Sequence, residues 1–203
     1  EKKLSNMLGM EAGLFCPSGT MTNQIAIRVH TKIGDQVICE SSSHIYNYEG
    51  GGAASNSGVS VKLITGDHGR LSLNQIKKSI NPDDPHYPRT KLITLENTCN
   101  KGGGSCYDIN QINSISAYCR ANKLGFHLDG ARLFNALVAT KQSAFEYGRA
   151  FDSISICLSK GLGAPVGSVL LGSKEFIYNA KRVRKTLGGG MRQAGYLASA
   201  GIY

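Results

Sequence analysis

The sequence predicts an α/β fold: one open, mainly parallel, seven-stranded sheet with helices on both faces. Two observations carry that expectation. Short β-rich runs alternate with helical patterns from one end of the chain to the other. Several of these runs are apolar at consecutive positions, as strands covered on both faces require. Together they point to strands joined by helical crossovers rather than to a barrel or a bundle.

The elements follow in order. Glu1–Gly9 reads as the second half of a helix closed by a glycine cap. A strand over Gly13–Cys16 leads through Pro17-Ser18-Gly19-Thr20 into a helix over Thr20–Ile33. A strand over Gln36–Glu40 precedes the run SSSHIYNYE, and another spans Val59–Ile64. A helix over Leu71–Ile80 ends in an irregular loop, Asn81–Arg89, punctuated by Pro82, Pro85 and Pro88. Then come a strand at Lys91–Glu96, a helix at Ile109–Asn122, a strand at Leu124–Asp129 and a helix at Ala131–Ala139. Strands at Ser153–Leu158 and Gly167–Leu171 complete the seven, followed by a helix at Lys174–Thr186. A small-residue apolar helix pattern over Met191–Tyr203 stops without a cap signal. With Glu at position 1, this suggests the central segment of a longer protein.

Composition narrows the classes. The 203 residues are 41% hydrophobic and 18% charged, which suits a folded domain with its own core. The 25 glycines have no Gly-X-Y period and cluster at 50–52, 102–104 and 188–190, which excludes collagen and suggests tight backbone approaches. No membrane-length apolar run and no basic-then-apolar leader is visible, so the expectation is a cytoplasmic protein without a membrane partner. The net charge of +9 is spread along the chain and does not single out nucleic acid as a partner. The densest cationic run, Lys181, Arg182, Arg184 and Lys185, has the spacing of one exposed helix flank. Six cysteines (Cys16, Cys39, Cys99, Cys106, Cys119, Cys157) include no CxxC pair, and four sit in apolar surroundings typical of reduced thiols.

In open α/β sheets ligands lie beyond the carboxyl ends of the strands. The polar residues placed there are Ser18–Thr20, His44, Asn97, Asp129 with Arg132, and Ser159 with Lys160. Lys160 follows an apolar strand and precedes the glycine-rich turn GLGAPVG, a low-dielectric edge at which a lysine amine becomes available for a Schiff base. Asp129 ends a strand, where a carboxylate beneath a cofactor holds a pyridine nitrogen protonated. Arg132 follows one turn on, its planar fork suited to a phenolate or carboxylate oxygen. An N-cap aspartate with a local salt bridge to Arg132 is the plainer reading of that pair. Ser18, Gly19 and Thr20 offer donors to a phosphate at a helix N-terminus, or an ordinary N-cap. The His44 imidazole suits stacking on a flat ring and carrying a proton near neutral pH, though a lone histidine is more often structural. Phosphate cradle, stacking histidine, carboxylate for a ring nitrogen and Schiff-base lysine are together the parts of a pyridoxal 5'-phosphate site. Neither GxxxxGK[ST], a GxGxxG turn after a strand, nor an HExxH metal motif occurs.

The strings FCPSGTMTNQIA, SSHIYNYEGGGAA, LITLENTCNKGGGS, HLDGARLFNA, SICLSKGLGAPVGSVLLGSKEFI and RKTLGGGMRQAG run through nearly the whole chain. In them the sequence resembles the threonine aldolase and aromatic β-eliminating lyase family, and within it the low-specificity L-threonine aldolases. The resemblance implies the large domain of the aspartate-aminotransferase-like pyridoxal phosphate fold over residues 1–203. It places the cofactor on Lys160, Asp129 at the pyridine nitrogen, His44 on the ring, Ser18, Gly19 and Thr20 at the phosphate, and Arg132 at the phenolic oxygen and substrate carboxylate. It also implies that His86 lies near the substrate hydroxyl. The implied reaction is retro-aldol cleavage of a small amino-acid substrate, threonine giving glycine and acetaldehyde, with His44 or a water near His86 as base. The family's sites lie at subunit interfaces, so a homodimer or homotetramer is implied, with Lys181–Lys185 and Gly188–Arg192 facing the neighbour and Arg192 or Lys185 near its cofactor phosphate. Two departures stand out. Cys99 replaces the histidine of the family's ENTHN string, and the family's N-terminal arm and C-terminal small domain are absent from these residues. β-Elimination on the same cofactor and a non-catalytic scaffold remain the alternatives.

Overall fold

Local sequence decides most element boundaries in this computed structural model, which describes residues 1–203. The helices are α1 (Lys2–Met7), α2 (Gly19–His30), α3 (His44–Asn47), α4 (Gly52–Ser57), α5 (Leu73–Ser79), α6 (Ile109–Ala121), α7 (Leu133–Thr140), α8 (Ala144–Ala150), α9 (Lys174–Thr186) and α10 (Ala194–Ala200). Side-chain oxygens start four of them. Ser18, Asp108 and Ser173 accept backbone N–H bonds from Met21, Asn110 and Phe176, and Ser72 forms a reciprocal capping box with Gln75. Each such cap contributes about 1 kcal/mol by satisfying a donor the helix leaves free. Helix α2 stops at His30 rather than Ile33. Thr31 is already extended and turns its hydroxyl back to the Ile27 carbonyl, while Lys32 N–H donates to Asp35 in the turn that follows. Three short helices, α3, α4 and α8, were not expected from the sequence, being too short to display a helical period.

All seven expected strands form: β1 (Ala12–Cys16), β2 (Gln36–Glu40), β3 (Ser60–Ile64), β4 (Thr90–Glu96), β5 (Gly125–Asp129), β6 (Ser153–Cys157) and β7 (Ser168–Gly172). They make one sheet in the order β1-β7-β6-β5-β4-β2-β3. β2, β3, β4, β5 and β6 pair in parallel, and β7 pairs antiparallel with both β1 and β6, so it alone opposes the other six. β6 leads into β7 through the glycine-rich turn 158–167, with no helix between, so the sheet is parallel except at β7.

Both sheet faces are covered. Leu14, Cys16 and Leu170 project to one side and pack with Ile25, Ala26, Phe176, Ile177 and Ala180 of α2 and α9. Phe15, Val169 and Leu171, alternating with them, enter the larger cluster on the other side with Leu8, Ile93, Phe126, Ile112, Leu133 and Tyr147. Burying each large apolar side chain stabilises by about 1.5–3 kcal/mol. Five of the six cysteines, all free, are buried, one more than the sequence suggested.

Candidate active site

Because six strands share a direction, the carboxyl ends of β1, β2, β5 and β6 meet on one edge. The loops leaving them enclose a cleft of about 190 Å³ lined by Pro17, Ser18, Gly19, Thr20, Asn23, His44, Asp129, Ala131, Cys157, Ser159 and Lys160. A larger cleft of about 320 Å³ lies beside the chain termini, but apolar residues such as Leu4, Met7, Phe134 and Leu158 dominate it, and it offers little to chemistry.

One wall of the smaller cleft is the start of α2. The Ser18 hydroxyl oxygen accepts from Met21 N–H at 3.2 Å, so the plain N-cap reading holds for its lone pair. The first backbone N–H groups of the helix have no intrahelical partner, and the helix dipole adds positive potential there. Thr22 secures this end to the sheet: its Oγ1 donates to Gly19 O at 2.7 Å and lies 2.5 Å from Ser155 Oγ on β6.

The floor is Asp129 at the end of β5, only 4% exposed. Its Oδ1 accepts from Ala131 N–H at 3.1 Å and its Oδ2 from Asn23 Nδ2 at 2.9 Å. No Lys, Arg or His lies within ion-pair distance, so the expected alternative of a salt bridge to Arg132 is not formed. Burial, and then the nearby carboxylates of Glu96 and Glu49, push Asp129 up to about 6. A buried carboxylate without a cation, facing a cleft, is the acceptor that a protonated ring nitrogen, as donor, satisfies.

His44, in α3, forms the opposite wall. Glu96 at the end of β4 holds its backbone N–H (2.9 Å) and that of Asn100 (2.9 Å), fixing both loops. The His44 Nδ1–H donates to Glu49 Oε1 at 3.0 Å. That bond holds the imidazole above its ordinary pKa, against the opposing effect of partial burial. Glu49 is itself buried and accepts from Asn23 Nδ2 (2.8 Å) and Gln24 Nε2 (2.7 Å). Gly52 permits this packing, since a Cβ there would lie 2.5 Å from the Gln24 amide. His44, Glu49 and Asp129 bring ligand atoms within 4.8 Å of one another, but N–H donors already fill the space between the carboxylates, which disfavours a cation.

Lys160 lines the cleft from the β6–β7 turn and is exposed, not enclosed at a low-dielectric edge as the strand-end setting suggested. In this chain the turn carries it past the sheet into solvent. Cys157 beneath it is buried, and burial raises its thiol pKa.

The structure therefore brings together Ser18, Gly19, Thr20, His44, Asp129 and Lys160 and leaves three expected residues outside the lining. Arg132 follows Ala131 but points its guanidinium at Asn100 Oδ1, 3.3 Å away. His86 sits in the exposed proline-rich loop, bonded to Asp84 Oδ1 at 2.7 Å. Arg192 is exposed just before α10. Asn97, expected on the rim, is instead fully buried, donating to Tyr147 OH at 2.9 Å and accepting from Tyr107 N–H. Nor do the four cations of α9 share one flank: Arg184 turns inward and donates to the Phe15 carbonyl at 2.6 Å. Asn23 and Glu49 belong to the site and were missed from sequence. The only available signal was that an amide in the first turns of α2 must face the sheet edge.

The fold is an open α/β sheet that sets a lysine and a carboxylate without an ion-pair partner at one edge. The chain matches the Beta-eliminating lyase family over residues 1–203 and belongs to that family. It is 44% identical over 208 residues to Low-specificity L-threonine aldolase 1 of Arabidopsis thaliana, covering 100% of this chain and 58% of that protein. It is 42% identical over 200 residues to Low specificity L-threonine aldolase of Escherichia coli (strain K12), covering 98% of this chain and 59% of that protein. A solved threonine aldolase of Leishmania major superposes with a TM-score of 0.89 at 25% identity, over 98% of this chain and 58% of that one. The chain thus spans a little under three-fifths of the length of these relatives. None of its helices is long and apolar enough to cross a membrane.

Proposed function

We propose that residues 1–203 form the pyridoxal 5'-phosphate-binding large domain of an aldolase that cleaves β-hydroxy-α-amino acids, L-threonine or L-allo-threonine, to glycine and an aldehyde. The observation that carries the reading is Asp129, a buried anion at the cleft floor with no cation of its own. Around it the residues present suit the cofactor. Ser18, Gly19 and Thr20 would donate to its phosphate, Lys160 would offer the primary amine to its aldehyde, and Asp129 would accept the ring N–H. When bound, pyridoxal phosphate supplies an electron sink for the pair released as the Cα–Cβ bond breaks. His44, held by Glu49 through Nδ1–H, has Nε2 left to exchange a proton with the β-hydroxyl, and Arg132 is placed to receive the substrate carboxylate if it releases Asn100.

His86 and Arg192 lie outside the cleft lining, and the reading includes a homo-oligomer in which a second copy brings such residues to the site. The aldolase reading rests on the names of the relatives, and the product from threonine separates it from β-elimination: glycine with acetaldehyde in one case, 2-oxobutanoate with ammonia, after loss of the β-hydroxyl as water, in the other. The direct test is borohydride reduction of the cofactor-loaded protein followed by peptide mapping. A phosphopyridoxyl mass on the Lys160 peptide is expected. A label on another lysine, or none, would sink the proposal.

A further inference from the structure

Asn23 stands where two buried hydrogen-bond chains meet. Its Nδ2 lies 2.9 Å from Asp129 Oδ2 and 2.8 Å from Glu49 Oε1, so both amide protons are spent on carboxylates. Reversing the amide would set its oxygen against two carboxylate oxygens. The Asn23 oxygen instead accepts from His127 Nε2–H at 3.1 Å. That fixes the imidazole tautomer: His127 Nδ1 must accept, and does so from Ser153 Oγ at 2.8 Å. Ser153 in turn accepts from His30 Nε2–H at 2.7 Å. This donor direction requires His127 to be neutral, since its Nδ1 must accept, whereas His30 donates through Nε2–H in either state. Burial keeps both neutral, lowering His127 to about 3 and His30 to about 4.

We infer that Asn23, oriented by His127, is a positioning residue of the cleft, holding the Asp129 carboxylate and, through Glu49, the His44 imidazole in one fixed arrangement. The inference rests on the reading that pyridoxal phosphate occupies the cleft. The groups facing Asp129 are Asn23 from α2, Ala131 N–H from the turn after β5, Glu96 from β4, and Glu49 and His44 from the α3 region. Lys160 lines the same space. Among them Asn23 is the one neutral side chain donating to the carboxylate. Its loss removes a stabiliser of the anion, so protonation of Asp129 extends to higher pH and competes with the ring N–H.

The test is pyridoxal phosphate affinity of the purified protein between pH 6 and 8, with visible circular dichroism of the bound chromophore and the thermal midpoint. Asn23→Ala is expected to weaken cofactor binding tenfold or more, most at the acid end, and to diminish the dichroic band. His127→Gln, which keeps a donor for the Asn23 oxygen, should stay within about threefold of the parent, and His127→Leu should fall towards Asn23→Ala. If Asn23→Ala does not fold, the two His127 variants decide the matter. A lowered thermal midpoint with affinity, pH dependence and dichroism unchanged would mean a purely structural role and overturns the inference alone. Failure of the parent to bind pyridoxal phosphate overturns the reading beneath it as well.

Discussion

Gly19 and Cys157 approach so closely that a Cβ on residue 19 would lie 2.6 Å from the Cys157 Sγ. One residue begins α2, and the other ends the strand that leads to Lys160. The contact fixes the separation between the helix N-terminus, which offers donors to an anion, and the turn that offers the amine. Ser18, Gly19, Thr20 and Lys160 are thereby brought to one edge although they lie far apart in the chain.

Gly19→Ala should therefore act through geometry. Overpacking costs about 1–3 kcal/mol, and relief requires α2 to move away from β6. The variant is expected to bind pyridoxal phosphate more weakly and to melt earlier. Cys157→Ala should recover most of both losses, a coupling that a double-mutant cycle reads directly. Additive effects would contradict the steric explanation.

Asp129→Asn is expected to separate stability from function. Because burial raises the Asp129 pKa from its ordinary value of about 4 to about 6, the folded apoprotein holds more protons than the unfolded chain between those values. Stability from this group is thus greatest below about pH 4 and lost as pH rises towards 6, by a ceiling of about 3 kcal/mol. Chemical denaturation of the apoproteins across this window should show the parent losing ground to Asp129→Asn as pH rises. If the chain acts as proposed, the same substitution should cut turnover of threonine by orders of magnitude, each ~1.4 kcal/mol of lost stabilisation being tenfold. Near-normal turnover would remove Asp129 from the site.

Glu49→Gln should lower the pKa of His44. The Glu49 hydrogen bond is the main influence raising it, while partial burial acts the other way and remains. Imidazole titration followed by NMR is expected to show the midpoint moving down. Stability from the pair, present while His44 is charged and lost as pH rises through its raised pKa, should disappear in the variant. An unmoved midpoint would mean the bond is not formed in solution.

Arg192→Glu tests assembly. Arg192, Lys185, Lys181 and Arg182 are all exposed, the last lying over the Tyr178 ring. If this surface meets a neighbouring copy near its cofactor phosphate, the reversal costs a few kcal/mol when desolvated. A solvated surface would lose under about 1 kcal/mol. Sedimentation and cofactor titration should show a weaker oligomer, a weaker hold on the cofactor, or both. No change in either assigns the cations to solvent.

Sequence by itself determined the seven strands, the main helices and four corners of the cleft, because those signals are local. Ser18 caps the helix it starts, Asp129 ends an apolar run, and Lys160 sits in a glycine-rich turn whatever the rest of the chain does. Tertiary structure decided everything that depends on which strands become neighbours. The reversed β7 follows from the pairing of β1 and β6 on either side of it, which no local period encodes. The packing of α9 on β1 turned Arg184 inward, and the neighbours of the β4 end buried Asn97 against two tyrosines. Asn23 and Glu49 read as ordinary polar residues until the sheet brings position 23 to positions 49, 127 and 129. Their importance lies in hydrogen bonds spanning 26 to 106 residues, and such bonds exist only once the chain has folded.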